Sequence, residues 1–269
     1  AARHARERIV QINPRRVHVV VVEVVERHER SVDAVRRLHR VAAQQQHITA
    51  LHAHPVLPDD RVVTLLTRVE HAIADSVRAL SKRDQPLAAR VVQGDSEVNR
   101  LEVEIDEDCR RILALRQPAA SDLRLITTAV KIVTDLERIG DLAVNIAERV
   151  GDVTEVPGPV IFQNLSQLAA LAQGQLHTAL DAFVGANVEE AVQVLEGDVL
   201  IDALYLKLFN ELLALMMEDS KNIRRATALM FVAKHLERIG DHAQNLAEMV
   251  IYMVRGTDVR HPESRKLRR

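Results

Sequence analysis

The stretch LERIGDLAVNIAE, residues 136–148, returns as LERIGDHAQNLAE at residues 236–248. The two copies differ at three positions and share LERIGD without change, which is the signature of an internal structural repeat. Each copy places a glycine, Gly140 or Gly240, inside a segment of helical periodicity, although glycine costs a helix interior about 1 kcal/mol relative to alanine. A glycine kept there in both copies predicts close approach of a neighbouring helix.

Apolar residues recur at helical spacing on both sides of the repeated line. They predict six helices, at residues 61–82, 86–115, 121–150, 165–184, 189–217 and 223–254. A second match, VVQGD at 91–95 and VLEGD at 194–198, aligns the second helix of each half. The segment GDVTEVPGP, residues 151–159, is the best predicted linker. We therefore predict an all-α protein of two tandem, pseudo-symmetric three-helix bundles, at residues 58–152 and 158–255.

The two ends of the chain differ from this body. Residues 1–56 hold ten arginines and five acidic residues, with seven histidines at no consistent metal-ligand spacing. We expect residues 1–57 to be an extension outside the core fold, and residues 256–269 to be a basic tail. Without its first 56 residues, the chain holds 26 basic and 33 acidic residues. An acidic body argues against nucleic acid as a partner, because phosphate binding needs a basic face.

Composition also sets the expected compartment. The single cysteine, Cys109, excludes an internal disulfide framework and indicates a reducing environment. Its charged sequence neighbours favour a plain surface thiol over a nucleophile. No apolar run reaches the roughly 18 residues that span a bilayer, and no signal peptide is recognised. We expect a cytoplasmic protein.

The repeated line places oxygen-bearing side chains on one stripe of its helix. With Glu137 at zero and about 100° per residue, Glu148 falls at about 20°, Asp141 at about 40° and Asn145 at about 80°. Apolar residues lie on the opposite face. The second copy repeats the stripe with Glu237, Asp241, Asn245 and Glu248. A solvated acidic face is the alternative interpretation, but such a face could exchange Glu, Lys and Gln freely between copies.

The second helix of each repeat offers an oxygen pair of its own. Asp198 and Asp202 form it in the second repeat, and Asp95 and Asn99 occupy the matching positions in the first. Two helices that each present such a pair can converge on a hard cation, which relieves the repulsion among carboxylates. Oxygen ligation suits Mg, Mn, Ca or Fe(III), and zinc less well.

A ferritin-type di-iron site is a less suitable interpretation. It requires Glu-x-x-His from paired helices, and neither repeat contains that motif. His235 and His242 flank the second copy of the repeated line. We expect each to be a surface or helix-packing histidine rather than a metal ligand.

The doubled ERIGD, each followed by N-x-x-E on the last helix of a three-helix repeat, resembles the PhoU family. The GD at the start of each second helix fits the same pattern, and the resemblance covers roughly residues 58–255. It implies a fold of two pseudo-symmetric three-helix bundles and (E/D)-x-x-x-D motifs that bind metal clusters in some members. The implied ligands are Asp95, Glu137 and Asp141 in the first repeat, and Asp198, Asp202, Glu237 and Asp241 in the second. The chain departs from the pattern at Asn99, so we expect weaker metal loading of the first repeat.

The resemblance also implies a function. Members of the family restrain phosphate uptake and negatively regulate the phosphate-starvation response. The implied partners are the ATPase of the phosphate ABC transporter and a phosphate-sensing histidine kinase, so membrane contact would come only through partners. A homodimer is expected as well.

Two other classes of function compete with this regulator. One is a metal store or metal-dependent enzyme built on the carboxylates, and the other is a structural adaptor. Against catalysis, the sequence shows no nucleophile paired with a base, no phosphate-binding glycine-rich loop and no Walker-type lysine. We therefore predict a non-enzymatic protein.

Overall fold

The computed structural model describes residues 59–153 and 158–260. These ranges contain six α-helices and no strand, which confirms the predicted all-α class. Two short 3₁₀ turns, Arg149–Gly151 and Ser220–Asn222, follow the third and fifth helices. The helices are α1 (Asp59–Lys82), α2 (Gln85–Arg116), α3 (Ala120–Glu148), α4 (Pro159–Gly185), α5 (Val188–Glu218) and α6 (Ile223–Arg255).

Local signals explain where the second helix of each repeat begins. The Asp84 carboxylate accepts a hydrogen bond from the Leu87 amide at 2.9 Å, and Pro86 lies in the first turn of α2, where its missing N–H is not needed. The Asn187 side chain caps α5 in the same way, accepting from the amide of Glu189 at 3.0 Å. Both second helices therefore start at a side-chain cap.

The fourth helix begins earlier than predicted. Apolar periodicity indicated a start at residue 165, but α4 begins at Pro159, directly after Gly158. Proline is favoured at the first helical position because its φ angle is already helical. The end of the predicted linker is thus the first turn of a helix, and the linker is shorter than the sequence indicated.

The two repeats bury matching faces in one continuous apolar core. Three fully buried positions of α1 match fully buried positions of α4 that lie 103 residues later. The pairs are Leu65 and Leu168, Val69 and Ala172, and Ile73 and Leu176. Helices α3 and α6 pack against each other, and α1 contacts α4. The repeats therefore form one packed body in which the third helices are central.

Both glycines of the repeated line lie where two helices cross. A Cβ placed on Gly140 would be 3.2 Å from Cγ1 of Val98 on α2, and a Cβ on Gly240 would be 2.9 Å from Cδ1 of Ile201 on α5. Val98 and Ile201 occupy matching positions in the two repeats. The predicted close approach is confirmed, since only glycine leaves room for these neighbours without a shift.

The prediction for Cys109 was wrong. Its side chain is fully buried, in line with Leu101 and Ile105 on the inner face of α2. Burial raises the pKa of the thiol to about 11, with smaller contributions from the charges of Asp106 and Asp108. A protonated, enclosed thiol is a small apolar core residue.

The predicted extension at residues 1–57 lies outside the described residues, as do positions 154–157 of the linker and 261–269 of the tail. Within the described part, Val259 is buried, so the chain continues to pack for a few residues beyond α6. None of the described helices combines the length and the apolar character that a membrane span requires.

Candidate functional site at the paired helix crossings

The first carboxylate cluster consists of Asp95 and Asn99 on α2 with Glu137 and Asp141 on α3. Asp95 lies at the crossing itself, with its Oδ1 atom 3.6 Å from the position of a Cβ on Gly140. Asn99 donates a hydrogen bond from Nδ2 to the other oxygen, Oδ2, at 2.9 Å. Within the described residues, the buried Oδ1 atom of Asp95 accepts no hydrogen bond.

The charges of the first cluster repel one another. The pKa of Asp95 is raised, first by burial and then by the charge of Asp141, against the opposing effect of the Asn99 hydrogen bond. The pKa of Glu137 is also raised, first by burial and then by Asp141. Arg138 offsets part of this repulsion, because its guanidinium lies 3.4 Å from both Glu137 and Asp141. At neutral pH the cluster thus carries unfavourable negative charge.

The second carboxylate cluster consists of Asp198 and Asp202 on α5 with Glu237 and Asp241 on α6. Burial raises the pKa of Asp241 most, followed by the charges of Glu237 and Asp198, while Lys234 opposes the shift and Asp202 adds to it. Among described residues, the buried Oδ1 atom of Asp198 accepts no hydrogen bond, as at Asp95. The structure therefore brings all eight predicted positions to the two crossings, four at each.

Two basic residues at these clusters were missed from the sequence. Lys234 donates from Nζ to Oε1 of Glu237 at 2.7 Å, and its Nζ lies 5.3 Å from the ring centre of Tyr205. Arg138 plays the corresponding part in the first repeat. Lys234 and Glu237 are three residues apart on one helix, a spacing that brings side chains together, so the pattern could have been recognised. Each cluster is partly neutralised by its own third helix.

The two crossings differ in the residue that the first helix of each repeat places beside them. In the first repeat, a groove of about 240 Å³ opens between α1, α2 and α3, and its lining includes Ala72, Asp95 and Gly140. In the second repeat, the position that matches Ala72 is Gln175. Its Nε2 atom lies 2.9 Å from the position of a Cβ on Gly197, and its Oε1 atom 3.5 Å from that of one on Gly240. Gln175 thus fills the space that is open in the first repeat.

The outer members of the predicted stripes have unequal surroundings. Glu148 is exposed, whereas Glu248 is buried, and Asn145 is more enclosed than Asn245. The surroundings differ next to the glycines as well, because Glu237 is buried where Glu137 is half-buried, and Asp241 is more exposed than Asp141.

The flanking histidines are placed differently. His242 lies between the third helices, with Nδ1 2.9 Å from Oδ1 of Asp135, so it packs across the contact of α3 with α6. His235 is half-buried, and its pKa is lowered by burial and then by the charges of Arg238 and Arg149.

A hard cation fits the chemistry of both clusters. The donors are oxygens, the pKa values of Asp95 and Asp241 are raised by burial and then by neighbouring carboxylates, and Asp95 and Asp198 each keep a buried oxygen that accepts no hydrogen bond from the described residues. The side chains are not gathered around a common point, however. Across the described ranges, no group of three or more His, Cys, Asp or Glu side chains is arranged to hold a metal ion. Metal binding would require the carboxylates of a cluster to move closer together.

The fold and the site together define a class of all-α proteins that have two similar repeats, each with a carboxylate cluster at a helix crossing made by a glycine. The sequence profile of the family described as "PhoU domain" matches residues 62–150 and 165–250. The chain belongs to the PhoU family.

Individual relatives agree with this assignment. The chain is 45% identical over 194 residues to the "Phosphate-specific transport system accessory protein PhoU homolog" of Pseudomonas putida, covering 72% of this chain and 76% of that protein. It is 39% identical over 201 residues to the accessory protein PhoU of Escherichia coli, covering 75% and 83%. The crystal structure of PhoU from Pseudomonas aeruginosa is similar with a TM-score of 0.71 at 42% identity, covering 73% of this chain and 95% of that one. A PhoU structure from Streptococcus pneumoniae gives a TM-score of 0.71 at 27% identity, covering 80% of this chain and all of that one.

Proposed function

We propose that this protein is an accessory regulator of phosphate transport that acts through protein–protein contacts. The observation that carries the proposal is the pair of carboxylate crossings in a chain 39–45% identical to proteins named for the phosphate-specific transport system. The direction of regulation proposed is negative: the protein restrains phosphate uptake and the phosphate-starvation response.

The partners proposed are the ATPase of the phosphate ABC transporter and a phosphate-sensing histidine kinase, met on the cytoplasmic side of the membrane. An acidic helical surface supports contact with basic surfaces, because complementary charge speeds encounter and selects partners. The expected homodimer can be tested by light scattering of the purified chain, which gives its molar mass directly.

We also propose that the carboxylate clusters bind metal ions. Asp95, Glu137 and Asp141, with the amide oxygen of Asn99, would hold a cation in the first repeat. Asp198, Asp202, Glu237 and Asp241 would do so in the second. A bound cation would neutralise carboxylates that now repel one another, and it would change the charge that the face presents to a partner.

The role proposed is not enzymatic. The buried thiol of Cys109 has a raised pKa, which makes it a poor nucleophile. Neither cluster pairs a nucleophile with a base, and the groups beside the carboxylates, Arg138 and Lys234, are engaged in ion pairs with them.

Deleting the gene in its host tests the regulator directly. We expect phosphate-scavenging genes to be expressed even when phosphate is plentiful, and the intact gene supplied in trans to restore repression. Normal phosphate-responsive expression in the deletion strain would contradict the proposal. Together with metal in the purified protein, that result would favour the alternative, a metal-binding helical protein with no part in phosphate signalling. The unbonded buried oxygens of Asp95 and Asp198 are the observation that supports this alternative.

A further inference from the structure

The outer face of α5 carries an exposed row of large apolar side chains. Val199, Leu206, Leu213 and Met217 are 70%, 59%, 43% and 82% exposed, and Phe209 lies beside them at 37%. We call these five residues the α5 stripe. Val199, Leu206 and Leu213 are spaced by seven residues, which places them in one line along the helix. From Val199 to Met217 the stripe is about 27 Å long.

The fold itself does not require this stripe. In α2, the matching helix of the first repeat, the corresponding positions are Ser96, Val103, Asp106, Arg110 and Ala114. Two of them form an ion pair on the surface, with Arg110 Nη2 2.7 Å from Asp106 Oδ2. The inward faces of the same two helices are alike: Val98 matches Ile201 and Ile105 matches Leu208, all of them buried. The repeats thus share their packing and differ in the surface that they present.

An exposed apolar row of this length has an energetic meaning. Burying such side chains stabilises a protein in proportion to the apolar area removed from water, so leaving several of them exposed forgoes that stabilisation. Contiguous apolar patches of this kind mark interaction sites on proteins. The seven-residue spacing is the spacing by which one helix packs along another. The shape of the α5 stripe therefore suits an amphipathic helix.

Acidic residues surround the stripe and define the charge of its occupant. Glu196 and Asp202 are exposed near its first half, and Glu218 is exposed at its end. These three carboxylates form no hydrogen bond or ion pair with other described residues. The basic residue of the exposed face, Lys207, is directed towards α4, with Nζ 3.3 Å from Oδ1 of Asn164. The carboxyl end of α5 adds the negative end of the helix dipole.

The same charges disfavour a second copy of this chain as the occupant. Antiparallel pairing of two α5 stripes about their midpoint sets Glu218 of one copy beside Glu196 of the other, because both lie on the same flank of the stripe. Parallel pairing sets Asp202 beside Asp202. Like charges brought together at an interface oppose association. A helix that has one apolar ridge with lysine or arginine on either side complements both the apolar α5 stripe and the acidic residues around it.

We propose that the α5 stripe is the docking surface for a basic amphipathic helix of a partner protein. The inference rests on the proposed function, because it supplies the surface through which a contact-dependent regulator acts. The apolar row contributes affinity, and the acidic rim selects a basic helix over an acidic one.

Site-specific photocrosslinking in the host tests the occupant. A photoreactive phenylalanine replaces Leu206 in the full chain, and a matched control carries it at Val103, which is 56% exposed at the equivalent place on α2. We expect an adduct from position 206 and none from position 103. Peptide mass spectrometry should place the adduct in a basic amphipathic helix of another protein. An adduct with a second copy, with residues 1–58 or 261–269 of this chain, or with a segment that is not basic and amphipathic overturns the proposal. So does the absence of an adduct at position 206.

Synthetic helices test the charge preference in solution. The probes are two 21-residue peptides with leucine at both apolar heptad positions, one flanked by lysine and the other by glutamate. We expect the purified chain to bind the lysine peptide at least tenfold more tightly. Leu206→Lys with Leu213→Lys should weaken that binding at least tenfold, and the same positions changed to Glu should weaken it less. Val103→Lys, the control, should leave it unchanged, and thermal melting checks that every variant is folded. Equal affinity for both peptides, or binding to neither, overturns the proposal.

Failure of this inference can be told from failure of the proposed function. One outcome is that phosphate no longer represses phosphate-scavenging genes in the deletion strain but still does so in the Leu206→Lys, Leu213→Lys strain, and that no adduct forms. That outcome contradicts the proposed docking surface and supports the proposed regulator. If the adduct forms as expected while the deletion strain responds normally to phosphate, the regulator is wrong and the surface stands.

Discussion

The two repeats are alike inside and different outside. Matching core positions, such as Val98 and Ile201, are buried at equivalent helix crossings, each beside the glycine of its own repeat. Around that crossing the first repeat has a groove lined by Ala72, where the second repeat places Gln175. The comparison teaches that the fold needs the glycine crossing twice, whereas the surface around it is free to specialise.

The largest expected effect concerns the crossings themselves. Gly240→Ala gains about 1 kcal/mol of helix propensity but forces its new methyl against Ile201, and overpacking of a core costs about 1–3 kcal/mol. We expect a net loss of about 1 kcal/mol in the free energy of unfolding, measured by urea denaturation. Gly140→Ala meets a more distant neighbour and should be close to neutral.

Ile201→Val provides the control for this crossing, because it deletes the Cδ1 atom that lies 2.9 Å from the new methyl. In that background Gly240→Ala should be stabilising, which makes the coupling between the two changes about 2 kcal/mol. Additive effects of the two substitutions would show that the glycine is not kept for close packing.

An effect smaller than this coupling is expected from the one position at which the ligand sets differ. Asn99→Asp adds a negative charge to the first carboxylate cluster, and charged oxygens bind hard cations more tightly than amides do. We expect the affinity of the first repeat for Mn²⁺ to rise about tenfold, equivalent to about 1.4 kcal/mol, in isothermal titration calorimetry. The reciprocal change, Asp202→Asn, should weaken the second repeat. Affinities that do not respond to either change would place the cation elsewhere.

The smallest expected effect is on stability and depends on pH. The pKa of Asp241 is raised in the folded state, so the folded state favours the protonated carboxyl. The contribution of this group to the free energy of unfolding is therefore fully present below the unfolded-state pKa and is lost as pH rises through the folded-state pKa. Without metal, Asp241→Asn should therefore stabilise the protein at pH 7, by less than about 1 kcal/mol for a partly exposed charge. At pH 3 the gain should vanish. Thermal melting in chelator at the two pH values measures it, and a gain of equal size at both would show that charge is not the cause.

The sequence was sufficient for the features that follow from periodicity. The apolar spacing predicted the six helices, and the repeated glycine predicted the crossings at Gly140 and Gly240. It failed where sequence neighbours and spatial neighbours differ. Cys109 follows charged residues along the chain, yet its place four residues after Ile105 puts it on the buried face.

Other features depended on contacts between helices. Nothing in the local sequence of α4 shows that Gln175 covers a crossing of α5 and α6, because that contact exists only when the three helices are packed. The start of α4 was missed for a different reason. Its first turn contains Ile161, which is buried four residues before Leu165, but Pro159 was interpreted as the end of a linker although proline also begins helices.

Metal analysis of the purified chain tests the central claim, that the carboxylates at the crossings are cation sites. The variant is Glu237→Ala with Asp241→Ala, and the matched control is Glu107→Ala with Glu196→Ala, two exposed glutamates outside both clusters. After equilibration with Mn²⁺ and removal of free ion, we expect the first variant to lose most of the metal bound by the second repeat while its helicity by circular dichroism is kept. The control should retain its metal. Equal metal content in the wild type and both variants would contradict the claim and leave each cluster as a solvated acidic face.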